Sequence, residues 1–170
     1  LAVNPAVVPA RNIRDFAAWL KAHEGKTSYG SAGLGTSYHL WAEAFNMAAG
    51  VSPVHVPYKG EGPALNDLLG GQIQYLMVTG AAKQHVDTGR LLVLAVTGEE
   101  RWSALYPAAP TFKESGYPQV VSSGWLAFIG PAGLPAEVLA RLHGALTQAL
   151  QSPSVAKVLE TQGYMIVGSS

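Results

Sequence analysis

Between residues 26 and 97 the chain alternates strand-type and helix-type segments at regular intervals, and this alternation limits the fold more than any other feature. Residues 27–31 are β-prone and end in Gly30-Ser31. A helical pattern follows over 37–49, with Leu40, Ala44, Phe45 and Ala48 on one face and Gly50 placed to stop it. Val54-His55-Val56-Pro57-Tyr58 reads as a strand near a sheet edge, because Pro57 has no N–H to give a ladder. Pro63 suits the first turn of a helix carrying Leu65, Leu68 and Leu69, closed by Gly70-Gly71. Residues 73–78 form a third strand, 81–88 a short helix and 91–96 an apolar fourth strand. Strands joined by helices of this length pair in parallel, in a sheet covered on both faces. The expectation for 9–97 is a compact βαβαβαβ unit of the α/β class with a mainly parallel sheet.

The flanks break that rhythm. Residues 12–22 form an amphipathic helix through Ile13, Phe16, Ala17 and Leu20. Beyond Thr97 come a proline-punctuated loop over 105–110, a short helix at 111–115 and an apolar strand at 125–129. A strongly amphipathic helix at 135–151 and a shorter one at 154–162 follow. Packing is expected to loosen after about residue 98, with the apolar faces of 125–129 and 135–151 covered by a second copy or an exchanged segment. Met165-Ile166-Val167 is strand-like and stands just before Gly168-Ser169-Ser170, where a strand usually pairs with something further on. The chain opens at Leu1 without Met, basic n-region or apolar h-region, so no export signal is visible in it. A piece of a longer protein is expected.

Composition removes several function classes. Eleven Lys and Arg balance eleven Asp and Glu, which argues against nucleic acid and anionic membrane surfaces as partners. The chain has no cysteine, which excludes disulfides, thiolate zinc sites and thiol catalysis. No apolar run approaches the ~20 residues of a membrane-spanning helix.

Familiar chemical motifs fail on inspection. Gly25-Lys26-Thr27 resembles the end of a phosphate loop, but Leu20 stands where the first glycine belongs and a helix precedes it. Gly33-Leu34-Gly35 opens a dinucleotide fingerprint whose third glycine would fall on Tyr38. No Ser lies in a G-x-S-x-G elbow. His39 and Glu43 lie four apart on one helix face, but with no third ligand nearby they read as a hydrogen-bonded helix surface. No metal and no cofactor are expected.

What remains is Ser31-Ala32-Gly33-Leu34-Gly35-Thr36-Ser37, between the first strand and the first long helix of the alternating region. Ligands of open α/β sheets bind outside the carboxyl ends of the strands, where this loop must lie. Its glycines let backbone N–H groups converge, and the following helix adds free amides and a positive dipole end. With the Ser31, Thr36 and Ser37 hydroxyls this is an anion site suited to a carboxylate, or a plain capped turn. Tyr58-Lys59-Gly60-Glu61-Gly62-Pro63 repeats the logic and offers a cation, with a surface turn as the alternative. Val78-Thr79-Gly80-Ala81 adds a third strand end with small residues and no charge. No base adjoins a nucleophile, so the loops read as a binder. A hydrolase using Ser37 and His39 is the competing enzyme reading, and a non-binding interaction module the third.

These residues carry a resemblance. The run from Tyr29 through Leu40, together with Val54-His55-Val56-Pro57-Tyr58-Lys59-Gly60, the run from Pro63 through Gln72, and Leu94-Ala95-Val96-Thr97, resembles the Bug family. These are the solute-binding proteins of tripartite tricarboxylate transporters. Pro110-Thr111, Glu114-Ser115-Gly116 and the stretch from Trp125 to Pro135 match its later landmarks in order. The resemblance implies a periplasmic two-lobed "Venus flytrap" of the type II binding-protein fold that closes on a small carboxylate and delivers it to a membrane permease. It implies a hinge strand in 1–8, a complete ligand-binding lobe in 9–98, and a return crossover with the C-terminal part of the first lobe in 99–170. It places ligand contacts at Ser31, Ala32, Gly33, Leu34, Gly35, Thr36 and Ser37, with His39 behind them, and the neighbouring strand ends add Tyr58, Lys59 and Thr79 to the candidate site. Leu34 departs from a polar residue common in relatives. Val78-Thr79 departs from an acid common there, so the expected ligand is a carboxylate without an amino group.

Overall fold

The computed structural model describes residues 1–168, which divide into two compact units, Leu1–Gly124 and a second that begins at Trp125. No strand forms at 165–167, where one was expected, and Ser169 and Ser170 lie outside the described residues.

The first unit holds one sheet of five short strands in the order β3-β2-β4-β1-β5. They are β1 (Ala2–Val3), β2 (Ser28–Ser31), β3 (Val54–Pro57), β4 (Tyr75–Leu76) and β5 (Leu92–Val93). β2 runs parallel to β3 and β4, with Tyr29 opposite both His55 and Tyr75. β1 is antiparallel to β4 and to β5, so β2, β3, β4 and β5 share one direction. The shared direction of β2–β5 is as expected, but the sheet as a whole is mixed, since both pairings of β1 are antiparallel. The opening segment differs, because it enters the sheet as an interior strand, with Ala2 opposite Leu76 and Val93.

Helices cover both faces, as a buried parallel sheet requires. On one side α1 (Ile13–Ala22) and α2 (Ser37–Ala49) set Ile13, Phe16, Leu20 and Phe45 against Tyr29, Tyr75 and Phe112. Asn12 caps α1 through a reciprocal pair with Asp15, at 2.9 Å to its amide and 2.7 Å to its carboxylate. On the other side α3 (Glu61–Leu69) packs Ala64, Leu65 and Leu68 against Ile73, Leu76, Leu105 and Tyr106. The Asn4 amide donates to the Leu68 and Leu69 carbonyls at 3.3 and 3.0 Å, closing the end of α3.

The core face of α2 is Ala42, Phe45, Asn46 and Ala49, whereas Leu40 is 58% exposed. The expected face was rotated because Asn46 reads as surface. Its burial is satisfied by the Tyr75 hydroxyl, which donates to Oδ1, and by Glu43 Oε1, which accepts from Nδ2 at 3.2 Å. Residues 81–88 split into a 3-10 turn at Gly80–Ala82 and α4 (Lys83–Asp87).

The packing break expected near residue 98 falls after Gly124, because Leu105, Tyr106, Ala109, Phe112 and Val120 are buried in the first unit. Thr111 forms a parallel β-bridge with Val96, and residues 112–116 are turns rather than a helix. Thr111 and Glu114 exchange bonds as a capping pair does (2.7 Å and 3.0 Å), but no apolar periodicity follows to extend a helix. In the second unit α5 (Ala136–Gln151) packs on α6 (Pro153–Thr161). The expected strand at 125–129 is absent among the described residues, since no strand pairs with it. Trp125, Leu126, Phe128 and Ile129 are 77–94% exposed.

Candidate functional site

The parallel strands end together at the edge where β2 passes into α2, β3 into α3 and β4 into the Gly80–Ala82 turn. Two cross-links join the first two connections: Tyr58 N donates to Ser31 O at 3.0 Å, and Gly60 N to Ala32 O at 3.3 Å.

The β2–α2 loop reaches its shape through Gly33 (φ 136°) and Gly35 (φ 77°), conformations that a side chain resists. Ser31 is fully buried, and its Oγ accepts from Gly33 N at 3.1 Å and lies 2.7 Å from His55 Nε2. His55 stacks against both Tyr29 and His39, with centroids 4.9 and 4.2 Å away. Burial, then the neighbouring His39, holds its ring below the usual histidine pKa, against a smaller opposite pull from Glu43. Tyr29 also bonds Glu43. Burial first, and that carboxylate second, push its phenol well up.

Thr36 occupies the N-cap of α2, yet its hydroxyl does not cap the helix. It donates instead to Gly33 O at 2.7 Å. The first intrahelical bond is from Leu40 N to Thr36 O at 3.0 Å. The amides of the first turn therefore stand at the positive end of a 13-residue helix without a side-chain cap. His39 folds back so that Nδ1 accepts from Gly35 N at 3.2 Å.

The structure brings Ala32, Gly33, Gly35, Thr36, Ser37 and His39 together at this loop. The other residues singled out in the sequence are placed differently. Leu34 is 78% exposed and Lys59 is exposed. The Tyr58 hydroxyl donates to Asp67 Oδ2 at 2.7 Å, and burial with that bond pushes its pKa up to about 12. His39 Nδ1 is engaged by Gly35 rather than Ser37, so the geometry does not assemble the Ser37–His39 pair of the hydrolase reading. The Ser31–His55 pair has its hydroxyl fully buried, out of reach of a substrate carbonyl.

Thr79 shows what the sequence reading missed. Its N–H and hydroxyl both donate to Glu61, at 2.8 Å to Oε1 and 2.7 Å to Oε2. Tyr38, in the first turn of α2, donates to the same Oε2 at 2.7 Å. The Tyr106 hydroxyl closes the chain of bonds on the Thr79 carbonyl at 2.5 Å. The strand end at Val78-Thr79 was expected to lack a negative charge. That premise is corrected, because Glu61 reaches across from the start of α3. Nothing in its local sequence marks this, since an acid in a first helical turn is ordinary. Among the described residues no group of three His, Cys, Asp or Glu side chains could hold a metal, and no helix is long and apolar enough to cross a membrane.

The fold is thus an open α/β sheet whose strand ends lie beside a helix N-terminus without a side-chain cap, the sheet-and-helix architecture of periplasmic binding proteins. The family model described as "Tripartite tricarboxylate transporter family receptor" matches residues 1–170, and the chain belongs to that family of solute-binding receptors. A Cupriavidus necator relative, "UPF0065 protein in gbd 5'region", is 36% identical over 152 residues, 89% of this chain and 46% of that protein. The chain thus spans about half the length of the curated relatives it matches. A structure described as a periplasmic transporter superposes with a TM-score of 0.89 at 38% identity, over 99% of this chain and 56% of the other. A Rhodopseudomonas palustris protein solved with adipate gives 0.83 at 30%, over 95% and 54%. MatC from Rhodopseudomonas palustris, with bound malate, gives 0.89 at 26%, over 95% and 55%. The Bug-type resemblance and the fold class read from the motifs are confirmed.

Proposed function

We propose that this chain is the carboxylate-receiving part of a periplasmic solute-binding receptor, with residues 32–39 as the seat of a ligand carboxylate. The observation that carries the reading is the Thr36 hydroxyl turned onto Gly33 O, which leaves the N-terminus of α2 to an outside anion. The adipate and malate held by structural neighbours supply the ligand class. In this reading the site binds and releases, with no chemical step. Residues 1–8 serve as the hinge strand, 9–98 as the ligand-binding lobe, and 99–170 as the return crossover and part of a first lobe. The remaining length of a longer receptor supplies the facing wall, and delivery is to a membrane permease of the tripartite type.

The test is a ¹H–¹⁵N titration of this chain with malate and with adipate at millimolar concentration. Amide shifts concentrated at residues 32–39, which Thr36→Val changes, are the expected result. Saturating ligand without shifts there would overturn the reading in favour of a non-binding interaction module.

A further inference from the structure

We propose that Glu61 selects the ligand: the site takes carboxylates that also carry a hydrogen-bond donor, an ammonium or a hydroxyl, in preference to dicarboxylates. This rests on the carboxylate reading of the β2–α2 loop. Glu61 opens α3, yet its carboxylate is bonded to Thr79 at the end of β4 and to Tyr38 in the first turn of α2. It therefore lies among all three strand-end connections, next to the helix N-terminus assigned to the ligand's carboxylate.

All three donors on Glu61 are uncharged: one amide and two hydroxyls. Among the described residues no Lys, Arg or His nitrogen lies within 4.0 Å of it. Lys59, two residues earlier, is exposed. The donors fix the carboxylate in place without neutralising it, and Oε1, which accepts one bond, retains acceptor capacity. A second ligand carboxylate brought beside it meets a like charge on a half-buried group. A hydroxyl or ammonium instead forms a charge-assisted bond there. The negative charge reaches this place from a different element than Val78-Thr79, and it reverses the preference inferred from that strand end alone.

The experiment compares succinate, 4-aminobutyrate, 4-hydroxybutyrate and butyrate, matched in chain length, by the same amide titration on the intact chain. The wild type is expected to bind 4-aminobutyrate or 4-hydroxybutyrate at least ~10-fold more tightly than succinate. Whichever of the two binds better identifies the donor. In Glu61→Gln the advantage should fall to within about twofold, with succinate gaining. Thermal melts establish that Glu61→Gln is folded, and the wild-type ranking stands as a test by itself. Succinate binding as tightly as the donor-bearing ligands in the wild type would overturn the proposal, as would a preference unchanged in Glu61→Gln. In those cases carboxylate binding itself stands. Failure of all four ligands would overturn the carboxylate reading and this inference with it.

Discussion

The imidazole rings of His39 and His55 stack with centroids 4.2 Å apart and planes 24° from parallel, although one belongs to α2 and the other to β3. Each ring also holds the β2–α2 loop, His39 through Gly35 N and His55 through Ser31 Oγ. Protonating either ring while it faces the other adds a positive charge to the same stack.

Acid sensitivity follows from that arrangement. His55 is held below its ordinary value of 6.5, so on acidification the unfolded chain takes up the proton first. Above that value neither state is protonated and His55 gives no pH dependence. As pH falls below it, stability is lost until the folded ring protonates as well. Tyr29, Ser31 and Glu43 are the other groups around the pair, and only Glu43 opposes the shift. Thermal melts at pH 7 and pH 5 should show a drop for the wild type and a smaller drop for His55→Gln, which keeps a polar group near Ser31.

The buried polar chain behind the loop should be costly to break. Tyr75→Phe leaves the Oδ1 of Asn46, itself 3% exposed, without its donor. Such a loss costs about 1–3 kcal/mol. Urea unfolding should show a lower midpoint with an unchanged slope.

Gly35→Ala separates backbone strain from packing. A Cβ there has open space around it, yet φ is 77°. The expected penalty is therefore about 1–2 kcal/mol from conformation alone. Binding of malate should weaken as well, because the Gly35 amide moves away from His39.

Association should depend on concentration. Trp125, Leu126, Phe128 and Ile129 are exposed in the second unit, and Leu139 and Leu142 of α5 are about half exposed. Faces of this kind associate in water. Light scattering should show mass rising with concentration, and Phe128→Ser with Ile129→Ser should reduce it. A monomer at every concentration would remove the expectation of a paired or exchanged face.

Much of the first unit was legible because its elements are local. α2 runs from Ser37 to Ala49 as its periodicity requires, and Pro57 does mark an edge strand. Long-range partners decided what was not legible. Asn46 is buried only because Tyr75 arrives from another strand, and Glu61 matters only because Thr79 and Tyr38 come to it. The β2–α2 loop was visible as glycines before a helix. The redirected hydroxyl of Thr36 was not, since a threonine in that position ordinarily caps.

The place of β1 has a kinetic consequence. In the unit from β2 to β4, Tyr29 meets His55 and Tyr75, both closer to it in sequence than the partners of β1 are to Ala2. Ala2 and Val3 must instead insert between β4 and β5, whose residues are made long afterwards. Contacts of such separation are slow to form. The β2–β4 part is therefore expected to gain amide protection first in refolding. β5, joined to the sheet through β1, should become protected only when the opening residues of the chain slot home.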